Sequence, residues 1–270
     1  MMKKTVAAAL LCCIAAGARA EISVSGYGSF DISSAYVLYG ARQNKEPCAW
    51  TYAELSAADD QWGGLFASLW QNTDLTDRRR MVMRRVNEWD WTTGARTQYA
   101  FTEDWIIAAE GGHIWYKYHG LQGQYTKTVY KTMMEVYGRC ELRNPYLTPY
   151  FFAAFDWKVT EGMFMTAGVK RDFTLPFGFI LTPDFTLGGG DERYLACLYP
   201  PWDTDRINSC LSYAQLALKL AYRICDRVGI HATVAYAVLV NDRIRSAIDE
   251  DSSDAAKQFA WGTAGIDFSF

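Results

Sequence analysis

From Ile22 to Phe270 one pattern recurs twelve times: about ten residues alternate between apolar and polar, and a turn-like segment follows. The runs are Ile22–Leu38, Cys48–Ser56, Gly64–Asn72, Glu88–Phe101, Trp105–Tyr118, Tyr130–Glu141, Pro149–Lys158, Met163–Asp172, Phe177–Leu187, Ser209–Ile224, Val228–Val240 and Phe259–Phe270. Period two marks a strand whose two faces meet different surroundings. In the tenth run Ala214, Leu216, Leu218, Leu220, Tyr222 and Ile224 share one face, and Gln215, Lys219 and Arg223 share the other. In the eleventh, Ile230, Ala232, Val234, Tyr236, Val238 and Val240 oppose His231 and Thr233. In the sixth, Lys131, Glu135, Arg139 and Glu141 oppose Thr132, Met134, Val136, Gly138, Cys140 and Leu142. The fifth run departs from this pattern, because Glu110 shares its parity with Ile106, Ile114 and Tyr116. A bulge near Gly111-Gly112 is the expected repair. Pro176 and Gly178 make the ninth run irregular.

A soluble antiparallel sheet alternates for the same reason, so loop lengths are needed to choose between the two. With the chain starting on the inner side, the odd-to-even connections are 39–47, 73–87, 119–129, 159–162, 188–208 and 241–258. The even-to-odd connections are 57–63, 102–104, 142–148, 173–176 and 225–227. Five of the six in the first set are longer than every one in the second; 159–162 is the exception. Short inner turns and long outer loops are the asymmetry of outer-membrane barrels, which also use an even number of strands of about 9–11 residues. The expected fold is all-β: a single transmembrane antiparallel β-barrel of about twelve strands over residues 21–270.

Composition agrees. Aromatic residues make up 15% of the chain, with Trp 10 and Tyr 17, as aromatic girdles at two membrane interfaces require. Mean hydropathy is -0.13, and after Ala20 no window holds the ~20 apolar residues of a spanning helix. Residues 1–20 read as a cleaved signal peptide: Lys3 and Lys4, an uncharged apolar run from Thr5 to Gly17, then Ala18-Arg19-Ala20. Losing Lys3, Lys4 and Arg19 takes the net charge from -3 to -6, which argues against nucleic acid as a partner. The expected location is the bacterial outer membrane, with its lipids as surroundings.

In the last run, Gly262, Ala264, Ile266, Phe268 and Phe270 oppose Trp261, Thr263, Gly265, Asp267 and Ser269. A terminal Phe after alternating apolar residues resembles the assembly signal of bacterial outer-membrane barrels. That resemblance implies that Ile266, Phe268 and Phe270 are read by the barrel-assembly machinery. A second resemblance runs along the chain. The segments 33–47 (SSAYVLYGARQNKEP), 88–94 (EWDWTTG), 115–120 (WYKYHG) and 135–138 (EVYG) look like the successive motifs of the TorF-type porin family. The family's Asp before Tyr-Val is Ala35 here, and its Arg before Gly is Tyr39. The resemblance implies an outer-membrane barrel of the porin kind and brings no solute with it.

Charged residues expected on the wet face are Glu54, Asp90, Arg96, Lys131, Glu135, Arg139, Lys170, Lys219, Arg223 and Asp267. Both signs are present, so they either line a conducting path for small hydrophilic solutes or pair up and fill a narrow interior. The loop holding Arg78, Arg79, Arg80, Arg84 and Arg85 suits phosphate or carboxylate. Its three readings are contact with lipopolysaccharide, an anion preference at the pore, or a solvated basic surface. Asp249–Asp254 opposes it in the last outer loop. A structural barrel without an open pore is the first rival. A barrel hydrolase is the second, with His231 or His113 as base and Ser209 or Ser212 as nucleophile, although no motif joins them. No zinc-like spacing and no cofactor motif occurs.

The mature chain keeps Cys48, Cys140, Cys197, Cys210 and Cys225, an odd number. The topology puts Cys48, Cys197 and Cys210 at the outer rim and Cys140 and Cys225 toward the inner one. A disulfide needs Cα atoms within roughly 7 Å across a band ~25 Å tall. Bridges are therefore expected to stay within each group; Cys197–Cys210 is the favoured outer pair because it closes the long loop holding Pro200-Pro201, and Cys140 and Cys225, on strands that are not neighbours, are expected to be free thiols.

Overall fold

The computed structural model describes residues 22–59, 63–75, 87–119, 132–199, 208–248 and 256–270. The signal segment 1–20, the five arginines between 78 and 85, Lys131 and Asp249–Asp254 lie outside the described residues.

Twelve strands form one closed antiparallel barrel. They are β1 (Ser23–Ser33), β4 (Cys48–Asp59), β5 (Gly63–Asp74), β6 (Asn87–Ala100), β7 (Ile106–His119), β8 (Thr132–Arg143), β9 (Thr148–Asp156), β10 (Gly162–Lys170), β12 (Phe179–Gly190), β13 (Cys210–Cys225), β14 (Val228–Leu239) and β15 (Gln258–Ser269). Each pairs with its neighbours in chain order, β10 pairs with β12, and β1 closes the ring on β15. Gly26 N donates to Phe270 O at 2.8 Å and Phe270 N to Gly26 O at 3.0 Å, extending that last seam. Strands about 4.8 Å apart and tilted about 40° make a twelve-stranded cylinder about 24 Å across its backbone.

The two-solvent pattern decides which way each strand faces. Val24, Phe30, Ile32, Leu55, Leu65, Val136, Phe151, Leu216, Leu218 and Val234 stand exposed on the outside. In water this belt would expose far more apolar area than a soluble monomer tolerates, whereas lipid covers it at no cost. The successive connections alternate between the two ends of the barrel. The outer end carries 34–47, 75–86, 120–131, 157–161, 191–209 and 240–257; the inner end carries 60–62, 101–105, 144–147, 171–178 and 226–227. No described helix is long and apolar enough to cross a membrane.

Three expectations need correction. The first run ends at Ser33, whose Oγ donates to Ala35 O at 2.6 Å and turns the chain. Beyond it, β2 (Tyr36–Leu38) and β3 (Ala41–Asn44) form a separate hairpin. Its two-residue turn has φ 47 at Tyr39 and φ 73 at Gly40. Positive φ at both central residues is the turn that matches strand twist, and glycine takes it without strain. The ninth run starts later than expected, at Phe179. Before it come the short β11 (Phe173–Thr174) and a 3-10 turn at Pro176–Gly178 with Phe177 at φ 64. The bulge at Gly111-Gly112 is absent: β6 and β7 stay in unbroken register from Asn87↔His119 to Ala100↔Ile106. Glu110, Ile114 and Tyr116 all face the lumen, because the outer half of the lumen is packed and the inner half is wet.

The main buried cluster lies inside the barrel. It joins Tyr116 and Met133 of β7–β8, Phe164 of β10, Tyr213 of β13 and Leu239 of β14 to residues of two short helices, α1 (Glu192–Leu198) and α2 (Asp242–Ala247). Leu195 and Ile244, one from each helix, are 0% exposed.

Candidate channel lumen

An eight-stranded barrel is filled by its own side chains, and one of sixteen strands leaves an aqueous channel. Twelve strands leave intermediate room, which the two halves of this lumen use differently.

In the outer half, the β2–β3 hairpin and α1 fold inward and make a plug. Asp191 caps α1: its Oδ1 accepts from Tyr194 N at 2.9 Å, and its Oδ2 accepts from Met163 N of β10 at 2.6 Å. The cap therefore starts the helix and ties it to the wall. Gln43 Nε2 of the hairpin donates to Leu198 O at 3.4 Å, and Asn44 Nδ2 donates to Asp74 Oδ1 at 2.8 Å. The polar centre of the plug is Glu135 of β8, which is 0% exposed. Three tyrosine hydroxyls donate to it: Tyr116 from the wall at 2.8 Å, Tyr39 from the hairpin turn at 3.3 Å, and Tyr194 from α1. A buried carboxylate without partners costs several kcal/mol; here every donor comes from a different element, so the contact that satisfies Glu135 also holds the plug. The Tyr39 ring packs on Phe164 with centroids 4.5 Å apart. Tyr36 Oη donates to Glu88, which is likewise 0% exposed.

The inner half is wet and charged. Arg96 and Glu54 pair at 2.6 Å, and Tyr52 Oη donates to the second Glu54 oxygen at 2.6 Å. Glu141 accepts from Arg139 at 2.5 Å, Lys170 at 2.9 Å and Arg143 at 3.4 Å. Tyr150 Oη donates to Asp184 Oδ1 at 2.8 Å. His231 lies between Asp31 at 2.6 Å and Asp267 at 3.2 Å, and Arg223 reaches Asp267 at 3.5 Å. A cavity of about 700 Å³ opens here, with Tyr27, Tyr52, Glu54 and Arg96 among its lining.

Of the charged residues expected on the wet face, Glu54, Arg96, Arg139, Lys170, Lys219, Arg223 and Asp267 share the lumenal parity in the inner half. Asp90 and Glu135 face the lumen in the outer half, at the plug. Sequence reasoning missed Asp31, Glu88 and Asp184, which their parity alone would have placed, and it read the parity of Glu110 as a break in the pattern. It also missed the tyrosines around Glu135, which no local signal connects.

The expected Cys197–Cys210 bridge is not formed, and Cys210 carries a free thiol. Cys140 and Cys225 are free thiols, as expected. The residues weighed for hydrolysis do not meet. Both nitrogens of His231 are engaged by carboxylates. Ser212 is buried and donates to Gly188 O at 3.0 Å. His113 accepts from Trp157 Nε1 at 3.3 Å, on the opposite face of β7 from Tyr116. Among the described residues no group of three or more His, Cys, Asp and Glu could hold a metal ion.

No family model and no curated protein matches the chain. Solved structures do. An outer membrane channel from Pseudomonas putida F1 aligns over 92% of this chain and 95% of its own, with 8% identity and a TM-score of 0.51. The NanC porin aligns over 91% and 99%, with 12% identity and a TM-score of 0.49. The KdgM porin aligns over 91% and 99%, with 12% identity and a TM-score of 0.46. At 8% identity the likeness to the Pseudomonas putida channel speaks for fold alone, and it agrees with the twelve-stranded antiparallel barrel described above.

Proposed function

We propose that the chain is an outer-membrane channel for the passive passage of small hydrophilic solutes, narrowed in its outer half by the β2–β3 hairpin and α1. The observation that carries this reading is the inner half of the lumen. It holds a cavity of about 700 Å³ lined by hydroxyl and charged side chains, which a barrel built only as a wall would have no reason to keep wet. The fold shared with an outer membrane channel agrees with it, as does the resemblance to TorF-type porins, which names no solute. The signal-like segment 1–20 and the alternation ending in Ile266, Phe268 and Phe270 support export and insertion by the barrel-assembly machinery. The five arginines in the connection between β5 and β6 support an anion preference and contact with lipopolysaccharide phosphates.

A structural barrel without an open pore is the second reading. One observation favours it: the buried cluster runs from β7 and β8 through the hairpin and α1 to β13 and β14, bridging the outer half from wall to wall. Conductance in planar bilayers separates the two, measured on the full chain and on a variant with Tyr36–Asn44 replaced by a Gly-Ser linker. The channel reading expects discrete steps, larger in the variant. No steps from either, with both barrels folded by gel shift, overturns it in favour of the structural barrel.

A further inference from the structure

The charges of the inner lumen are sorted by sign around the barrel. On the arc formed by β8, β9, β10, β12 and β13, the cations Arg139, Arg143 and Lys170 converge on the single carboxylate of Glu141. Lys219 and Arg223 continue the series on the lumenal face of β13, and Asp184 is the other acid of this arc. The remaining arc, β14, β15, β1 and β4 to β7, reverses the balance. Glu54, Glu110, Asp31 and Asp267 stand there with Arg96, and His231 sits between Asp31 and Asp267. Among the described lumenal strand residues of this half, five cations thus face two acids on one arc; the turns add Asp172, which accepts from Thr182 Oγ1, and the pair Asp226 and Arg227 beside the cavity. Four acids face Arg96 and His231 on the other. Opposite charges mark both boundaries: Glu110 is in register with Arg139, and Arg223 reaches Asp267 at 3.5 Å.

Sorted charges make fields that add across a lumen, and interleaved ones cancel. The lipid outside is a low-dielectric wall that concentrates the field in the water between the arcs. The two arcs nearly balance, so the layer offers little monopole to draw in anions over cations. What remains is a gradient from wall to wall. A monovalent ion is drawn to one wall and repelled by the other. An uncharged polyol gains at neither. A small zwitterion lying across the lumen gains at both ends.

We infer that the inner lumen is a binding site for small zwitterions, held with the carboxylate toward Lys170 and Lys219 and the ammonium toward Glu54 and Glu110 on the facing arc. The inference deepens the channel reading of this lumen and rests on it for its route, but binding is measurable without flux. The probes are 6-aminohexanoate, a zwitterion, and arabinose, an uncharged solute. The protein is the full chain refolded in a detergent without a sugar headgroup. Saturation-transfer NMR on the folded wild type is expected to show saturable 6-aminohexanoate binding and far weaker arabinose binding. The double variant Lys170→Gln, Lys219→Gln is expected to weaken 6-aminohexanoate about fivefold or more, and so is the double variant Glu54→Gln, Glu110→Gln on the facing arc. Each variant is taken only as a barrel that passes the gel-shift test of folding. In liposomes, the swelling rate in 6-aminohexanoate relative to arabinose is expected to fall with either variant. Binding that either folded variant leaves at the wild-type level overturns the inference, and so does arabinose binding as tight as the zwitterion's. Binding that both arcs weaken supports it even where liposomes show no flux, and that combination sinks the channel reading alone.

Discussion

His231 Nε2 lies 2.6 Å from Asp31 Oδ1, although 200 positions separate the two residues. The ring stands over β15 and ties β14 to β1 across the seam where the barrel closes. Its other nitrogen lies 3.2 Å from Asp267 Oδ1 on β15 itself. Gly265, level with His231 and Asp31 in the register, makes room for the bridge; a Cβ there would collide with the Asp31 carboxylate. His231→Leu leaves Asp31 and Asp267 facing each other without their shared donor. The seam is expected to lose about 2 kcal/mol, less than a fully buried pair because the site is partly wet. Urea titration followed by gel shift reads this as a lower midpoint, with part of the loss recovered when Asp31→Asn is added. An unchanged midpoint would mean that the bridge does not hold the seam.

Phe270 sits on the same seam. Its backbone exchanges two hydrogen bonds with Gly26, and its ring stands outward, 72% exposed. The ring contributes little to the finished barrel, so its expected role is during insertion. Deleting Phe270, or replacing Phe268 and Phe270 by Ser, should leave most of the chain in the periplasm. Normal amounts of heat-modifiable barrel in outer-membrane fractions would refute the assembly signal.

The strands were legible because lipid and lumen impose opposite demands on alternate residues, as Leu216, Leu218 and Leu220 against Gln215 and Lys219 illustrate. The plug was not. Tyr36 and Leu38 continue the alternation of β1, and only Ser33-Ser34 and the Tyr39-Gly40 turn mark the break. The bulge expected at Gly111-Gly112 followed from taking the whole lumen as wet. Ile114 and Tyr116 face inward on the same side as Glu110 because a hairpin from residues 36–44 covers them. Period two reports a residue's face, not what fills the space that the face looks into. For the same reason Glu135 could be placed in the lumen, while its partners Tyr39 and Tyr194, 96 and 59 positions away, could not.

Selectivity tests the arginines at 78, 79, 80, 84 and 85. If they act on permeating ions, replacing all five by Gln should shift the reversal potential in a salt gradient toward cations. An unchanged potential with intact conductance would limit them to the surface.

Glu135 is where the plug should be releasable. Glu135→Ala removes the acceptor shared by Tyr39, Tyr116 and Tyr194; the Tyr39 and Tyr116 hydroxyls, 3.1 Å apart, keep each other as partners, so the loss is about 1–2 kcal/mol. Tyr39 and Tyr194 belong to the plug and can recover water by leaving, so the cost falls on the docked state. Cys197 of α1 reports the departure. Burial pushes its thiol up to about 12, with Asp156 and Glu135 adding to the effect. A raised value keeps the thiol protonated through the neutral range, so its reactivity there is low and grows only at strongly alkaline pH. With Cys48, Cys140, Cys210 and Cys225 changed to Ser, maleimide labelling at pH 8 should be slow in the otherwise native barrel. Glu135→Ala should speed it about a hundredfold or more, as Cys197 returns toward an ordinary thiol in water. Conductance should rise in the same variant. Slow labelling and unchanged conductance in a folded Glu135→Ala barrel would show that the plug is held by its apolar packing and that Glu135 is not its latch.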